Sequence, residues 1–72
     1  MITARVTRDE DGLKIDELYE VSHISMGQSY TSIYLEKPKE GTKNPFNSVI
    51  FEFYEHGEEL DIYSDSRFNP YL

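Results

Sequence analysis

Residues 48–63 of the chain have the pattern of a β-hairpin, and this pattern determines the class of fold. Every second residue from 49 to 53 is a large apolar one, and Leu60 and Ile62 repeat this spacing after a polar segment that contains Gly57. A period of two is typical of a strand with one buried face, and glycine marks a turn between two such strands. We therefore predict two antiparallel strands. Their core face would consist of Val49, Phe51, Phe53, Leu60 and Ile62.

Three further segments have the composition of strands, at residues 2–6, 19–25 and 30–35. They are rich in β-branched and aromatic side chains, which fit the half-buried surface of a sheet. Together with the hairpin they give five short strands joined by turns. We therefore predict an all-β, mainly antiparallel fold, either a five-stranded small barrel or a strongly twisted sheet.

The second of these segments has an interrupted alternation, because Val21 and Ile24 have opposite parity. A β-bulge near residues 22–23 would place both side chains on the core side of one strand. The alternative is a short helix, since four residues before the interruption have helical spacing. These four residues are Ile15, Leu18, Tyr19 and Ser22.

The chain has one long polar segment and an apolar C-terminal tail. Residues 36–45 contain two prolines and a glycine, and we expect them to form the longest and most mobile loop. Residues 66–72 contain two aromatic side chains and a leucine without any periodicity. A free tail seldom carries so much apolar surface, so we expect it to dock on the domain or on another subunit.

The length of 72 residues indicates a single domain, residues 1–72. The chain has no cysteine, which excludes disulfides and thiolate zinc sites, and its six tyrosines and four phenylalanines compensate by offering enough apolar surface for a small core. No apolar segment approaches the roughly 20 residues of a membrane span, and the N-terminus lacks the pattern of a signal peptide. We therefore expect a cytoplasmic protein without a membrane partner.

The first third of the chain resembles the opening of SH3-like small β-barrels. The resemblance lies in residues 4–6, the acidic loop that follows, and residues 13–15 and 17–21. In that family a strand leads into a long acidic loop, and a turn and an apolar strand follow. The chain lacks the family's tryptophan at the start of the third strand and its Ala-Leu-Tyr-Asp-Tyr motif. The resemblance therefore implies the barrel but not the binding of proline-rich peptides.

The last third resembles small proteins encoded by phages and prophages of Gram-positive bacteria. The segments that prompt this comparison are residues 46–49 and 61–72, with Asn69-Pro70-Tyr71-Leu72 at the end. The resemblance implies a phage accessory protein that acts in the cytoplasm of the host cell.

The charge of the chain is strongly acidic, with 14 Asp and Glu against 7 Lys and Arg and a net charge of −7. Such a surface repels the phosphates of nucleic acids and anionic membranes. It favours basic partners, including proteins that themselves bind nucleic acid. The competing interpretation is that the charge only keeps a small protein soluble.

The second face of the hairpin is the predicted binding face, because it mixes acidic and aromatic side chains. We expect it to contact a basic host protein through Ile50, Glu52, Tyr54, Asp61 and Tyr63. Further acidic residues would steer that partner, namely Asp9, Glu10, Asp11, Glu17, Glu58 and Glu59. The alternative is that loops and the tail cover this face, so that both faces of the hairpin belong to the core.

Residues for catalysis or metal binding are scarce in the chain. The only histidines, His23 and His56, lie far apart in sequence, and Ser25 near His23 has no nucleophile motif around it. The carboxylates around His56 would give at most a weak divalent-cation site. We therefore expect no catalytic residues, no metal and no cofactor.

These observations favour a non-enzymatic interaction protein, and more specifically an inhibitor of a host defence or transcription protein. Its carboxylates would stand in for the phosphates of nucleic acid. Two alternatives remain open. One is a homodimer or higher oligomer with a structural or virion role. The other is an oligomer that binds a nucleotide or metabolite through Ser29, Tyr30, Thr31 and Arg67.

Overall fold

Six antiparallel strands form one open sheet in the order β4-β3-β2-β1-β5-β6. The computed structural model describes all 72 residues. The strands are β1 (Ile2–Val6), β2 (Leu18–Met26), β3 (Thr31–Leu35), β4 (Phe46–Asn47), β5 (Phe51–Glu55) and β6 (Glu58–Leu60). Two short 3₁₀ helices, Ser48–Ile50 and Ile62–Ser64, complete the regular structure. The all-β antiparallel prediction is confirmed, whereas the six strands form an open sheet and not a closed five-stranded barrel.

A β-bulge in β2 accounts for its broken alternation. The register between β2 and β3 shifts between Val21 and His23, and Ser22 is the extra residue. The Ser22 hydroxyl donates to the carbonyl of Tyr34 at 3.0 Å. Because of the shift, both Val21 and Ile24 face the core. The predicted bulge is confirmed, and the alternative helix over residues 15–22 is wrong.

The core lies on one face of the sheet, around the central strand β1. Ala4 and Val6 are completely buried there and pair with Phe53 and Phe51 of β5. Segments outside the strands cover this core. Their buried side chains are Leu13, Ile50 and Ile62. Full burial of an aliphatic side chain contributes about 1.5–3 kcal/mol, so these covering residues are essential in so small a protein.

The residues that precede β5 form a 3₁₀ helix, not the start of a strand. The Asn47 side chain caps this helix, since its Oδ1 accepts a hydrogen bond from the amide of Val49 at 3.1 Å. A 3₁₀ turn replaces the period of two by a period of three. As a result Ile50 is completely buried and Val49 is 51% exposed. The predictions that Val49 belongs to the core and Ile50 to an exposed binding face are both wrong.

The rest of the hairpin follows the predicted pattern. Phe51 and Phe53 are buried, and Leu60 packs against the core opposite Phe53. Ile62 is also buried, although it lies in the second 3₁₀ helix and not in a strand. The turn consists of His56 and Gly57, and both have positive φ, as a two-residue type I′ turn requires.

The predicted polar loop and the predicted apolar tail both contact the rest of the domain. Loop residue Lys39 pairs with Glu17 at 3.1 Å, and Asn44 makes two hydrogen bonds to the backbone of Leu35. In the tail, Phe68 packs against the core. Tyr71 and Leu72 at the end of the tail remain exposed.

Candidate functional site

The segment from residue 48 to residue 66 has no lysine or arginine. It forms the first 3₁₀ helix, β5, β6 and the second 3₁₀ helix. Its six acidic residues are Glu52, Glu55, Glu58, Glu59, Asp61 and Asp65. This part of the surface therefore depends on arginines from other segments for any local neutralisation.

Two arginines reach this segment. Arg5 of β1 pairs with Glu52 at 2.7 Å, and Arg67 pairs with Glu55 at 2.7 Å and with Asp65 at 2.6 Å. The remaining three acids of the segment make no ion pair. They are Glu58, Glu59 and Asp61.

The paired carboxylates are held in their ionised form. Hydrogen bonds from Arg5 and then from the Tyr54 hydroxyl lower the pKa of Glu52. Hydrogen bonds from Arg67 lower the pKa of Glu55 and of Asp65. Since the hydrogen-bonded form is the charged one, these side chains stay negative well below neutral pH.

An acidic groove opens where β5 and β6 separate. Their pairing ends at Phe53 and Leu60, and beyond this pair the chain leaves the sheet to enter the second 3₁₀ helix. The space between them is about 490 Å³. Three carboxylates and three aromatic rings line it, namely those of Glu52, Glu59, Asp61, Phe51, Phe53 and Tyr63. No lysine or arginine lines this groove, so it suits a cationic side chain with apolar methylene groups.

A second groove, the tyrosine groove, lies on the other side of Tyr63 and has a volume of about 440 Å³. Its lining contains no charged side chain. Four of the eight large exposed apolar side chains of the protein are collected here, each between 47 and 56% exposed. They are Tyr30, Val49, Tyr63 and Tyr71. A concentration of exposed apolar surface of this kind is typical of interaction sites.

Tyr63 separates the two grooves and is fixed by hydrogen bonds to three other residues. Its hydroxyl is hydrogen-bonded to the hydroxyl of Ser48, and its amide donates to Asp61 Oδ1 at 3.0 Å. Its carbonyl accepts from Asn69 Nδ2 at 2.7 Å. The two grooves share Ser48, Val49 and Tyr63 in their linings, so they adjoin each other directly. The fixed side chain of Tyr63 is the boundary between them.

The structure brings together only part of the predicted binding face. Three of its five residues, Glu52, Asp61 and Tyr63, line the acidic groove, and so does Glu59 from the predicted steering acids. Ile50 lies in the core, which removes it from any contact surface. Tyr54 is half-buried and donates to Glu52 at 2.9 Å, and Glu58 is exposed beside the turn.

The other predicted acids lie in the loop between β1 and β2 and line neither groove. Asp9, Glu10 and Asp11 are exposed, and Asp9 Oδ1 accepts from the amide of Ile15 at 2.8 Å. Glu17 is occupied by internal partners. Hydrogen bonds from the Lys14 amide and then from Lys39 and Tyr19 lower its pKa. These acids add to the overall negative charge but not to the groove.

Sequence reasoning missed Val49 and Tyr71 as surface residues of one site. Their placement depends on the 3₁₀ helix after Asn47 and on the course of the tail. Asn47 was the available signal, because asparagine is a preferred helix cap and competes with strand hydrogen bonding. The sequence gives a weaker indication for Tyr71. Its position is linked to the asparagine two residues earlier, because the Tyr71 amide donates to Asn69 Oδ1 at 2.9 Å.

No group of three histidine, aspartate or glutamate side chains is placed to hold a metal ion. No helix has the length and apolar character needed to cross a membrane.

The fold and the grooves define a small acidic all-β protein with an open six-stranded sheet and an exposed acidic and aromatic surface. The chain belongs to a bacteriophage family, since the family model described as Bacteriophage T4 protein Y07B matches residues 6–72. This match confirms the predicted kinship with small phage proteins, but not the predicted link to phages of Gram-positive bacteria. No curated protein and no solved structure matched the chain, and the SH3-like resemblance is not confirmed.

Proposed function

We propose that this phage-family protein is a non-enzymatic interaction protein that binds a basic protein through its acidic groove. The observation that carries the proposal is the lining of that groove, where three carboxylates and three aromatic rings meet and no lysine or arginine takes part, although Glu52 is already paired with Arg5 behind it. Two of these carboxylates, those of Glu59 and Asp61, have no ion-pair partner within the protein. The Asp61 carboxylate also accepts hydrogen bonds from the Tyr63 amide and the Ser64 hydroxyl, so it can pair with a cation of the partner only through its remaining lone pairs.

The groove suits an arginine or lysine side chain in two ways. Glu59 and Asp61 offer charge-assisted hydrogen bonds to its head group, and the exposed ring of Tyr63 offers a face for a cation–π contact. The net charge of −7 acts at longer range, because it attracts a basic partner before contact is made. Salt weakens this attraction, since the Debye length is only about 8 Å at physiological ionic strength.

The partner we propose is a host protein that binds nucleic acid. The carboxylates of the groove occupy the positions that phosphates take in the partner's natural ligand, and binding blocks that site. Membership of a phage family supports this role, because a phage gains from inhibiting host defence proteins of this kind. The cytoplasm of the host cell is then where the protein acts.

The test is capture of host proteins by the tagged full-length protein, with identification of what is captured. The groove variant combines Glu59→Gln with Asp61→Asn, and the control combines Glu36→Gln with Glu40→Gln. Both remove two exposed charges that make no ion pair, but only the first pair lies in the groove.

We expect the wild type and the control to retain a basic, nucleic-acid-binding protein that competing DNA or RNA displaces. The groove variant should lose it. Capture of a protein that is not basic, or equal capture by the groove variant and the control, would refute the proposal.

A further inference from the structure

We infer that the partner binds as a two-part segment, with an uncharged apolar part in the tyrosine groove and an adjoining lysine- or arginine-bearing part in the acidic groove. This inference rests on the proposed function, because it describes the partner of the same surface. It assigns a role to the tyrosine groove, which has no part in the attraction between the acidic groove and a basic partner.

The lining of the tyrosine groove has the composition of a protein-binding surface. Besides its three tyrosines it contains two serines, two asparagines and a glycine. Tyrosine provides a large and rigid contact area at a low cost in conformational entropy, and small polar residues provide adaptable hydrogen bonding. Ser29, and also Gln28 of the same lining, have side chains that make no hydrogen bond within the protein and are free to serve a partner.

Charge decides which part of the partner enters which groove. A cation in the tyrosine groove would lose hydration without meeting a carboxylate, because no charged side chain lines that groove. An anion would meet the field of a protein with a net charge of −7. The occupant of the tyrosine groove is therefore uncharged, whereas the occupant of the acidic groove is cationic.

The shared boundary requires the two parts of the partner to be neighbours. Tyr63 lines both grooves and is held by Ser48, Asp61 and Asn69. A rigid aromatic side chain at the centre of a contact surface is typical of residues that dominate binding energy. A partner segment that crosses Tyr63 passes directly from uncharged to charged surroundings.

The two grooves should then control different rates. Electrostatic attraction mainly raises the association rate, whereas buried aromatic contacts mainly slow dissociation. Loss of carboxylates from the acidic groove should slow association and flatten its salt dependence. Loss of a tyrosine should speed dissociation and leave the salt dependence unchanged.

The experiment is a selection of random dodecapeptides on the full-length protein, followed by kinetic measurements on the enriched peptides. The variants are Tyr71→Ala for the tyrosine groove and Glu59→Gln with Asp61→Asn for the acidic groove. Leu18→Ala is the control, because Leu18 is an exposed apolar residue that lines neither groove.

We expect enriched peptides in which an uncharged apolar block directly adjoins a block of lysine or arginine. Tyr71→Ala should weaken their binding about tenfold through faster dissociation, and Leu18→Ala should leave it unchanged.

Two outcomes would refute the inference and leave the proposed function in place. The first is enrichment of peptides that are basic throughout and have no apolar block. The second is that Tyr71→Ala does not change the binding of the enriched basic peptides. Enrichment of peptides without basic residues would refute the proposed function itself, and the inference with it. Self-association of the protein that Tyr71→Ala abolishes would assign the tyrosine groove to a second copy of the chain and would also refute the inference.

Discussion

The side chain of Asn44 completes the backbone hydrogen bonding of Leu35 at one end of the sheet. Asn44 Oδ1 accepts from the Leu35 amide at 2.8 Å, and Asn44 Nδ2 donates to the Leu35 carbonyl at 2.9 Å. The pairing of β3 with β4 includes Ile33 and Phe46 but does not reach Leu35. The side-chain amide of Asn44 therefore makes the hydrogen bonds that one more residue of β4 would make. It satisfies two backbone groups of a buried residue, which would otherwise lose their hydrogen bonds to water.

Asn44→Ala should destabilise the protein by about 1–3 kcal/mol, because it leaves both backbone groups of Leu35 without their partner. Asn44→Asp keeps the acceptor for the Leu35 amide but places a carboxylate oxygen against the Leu35 carbonyl, so its effect should be at least as large. Urea denaturation of the variants measures this. The control is Lys43→Ala at the neighbouring exposed position, which should change the free energy of unfolding by less than about 0.5 kcal/mol. Equal effects of Asn44→Ala and Lys43→Ala would show that the side-chain pair does not stabilise the sheet.

Ile50→Ala should destabilise the protein by about 2–5 kcal/mol, the usual cost of truncating a buried aliphatic side chain. Val49→Ala, one residue earlier, should cost less than about 0.5 kcal/mol, because Val49 is half exposed. Strand alternation at this position predicts the reverse order. Thermal or urea unfolding of the two variants therefore decides directly between the 3₁₀ helix and a continuous strand over residues 48–54.

The strands could be predicted from the sequence wherever the period of two continues, as in β1, β3 and β5. The bulge in β2 could also be predicted, because Val21 and Ile24 are both apolar and only a bulge between them places both side chains on the core face. Residues 48–50 could not, since the Asn47 side chain competes locally with strand pairing. Strand β4 has only two residues and therefore no period at all.

The candidate site was less predictable than the strands. The acidic groove depends on where the pairing of β5 and β6 ends, and this end point has no signature in the alternation of residues 58–62. Its acids were nevertheless identified from composition, since Glu52, Glu59 and Asp61 stand in the predicted hairpin. The tyrosine groove joins residues from the β2–β3 turn, the first 3₁₀ helix and the tail. Contacts between such distant segments are not encoded in any local pattern.

Acid should destabilise the protein partly through Arg67. Its hydrogen bonds lower the pKa of Glu55 and of Asp65 in the folded state, so the unfolded chain binds protons more readily. The resulting stabilisation is fully present above the unfolded pKa values of about 4.3 and 3.9. It declines as the pH falls through these values and is lost below the lowered folded-state values.

Arg67→Gln should therefore flatten the dependence of stability on pH in the acidic range. The measurement is the free energy of unfolding in urea between about pH 3 and pH 7, a range that spans the pKa values of free carboxyl groups. Arg8→Gln is the matched control, because Arg8 is exposed, makes no ion pair and carries the same charge. The control should keep the wild-type slope. The same slope in all three proteins would show that the contacts of Arg67 with Glu55 and Asp65 contribute nothing to acid sensitivity.

His56→Asn should stabilise the protein by roughly 0.5 kcal/mol, within the range typical of turn optimisation. His56 has a φ of 54°, a left-handed conformation that asparagine adopts more readily, and Asn-Gly is a preferred pair in type I′ turns. Gly57→Ala is the opposite case. Gly57 has a φ of 79° with open space around it, so the substitution should cost about 1 kcal/mol through backbone strain and not through a clash. Thermal unfolding measures both variants, and a loss of stability in His56→Asn would mean that the imidazole makes a stabilising contact at the turn.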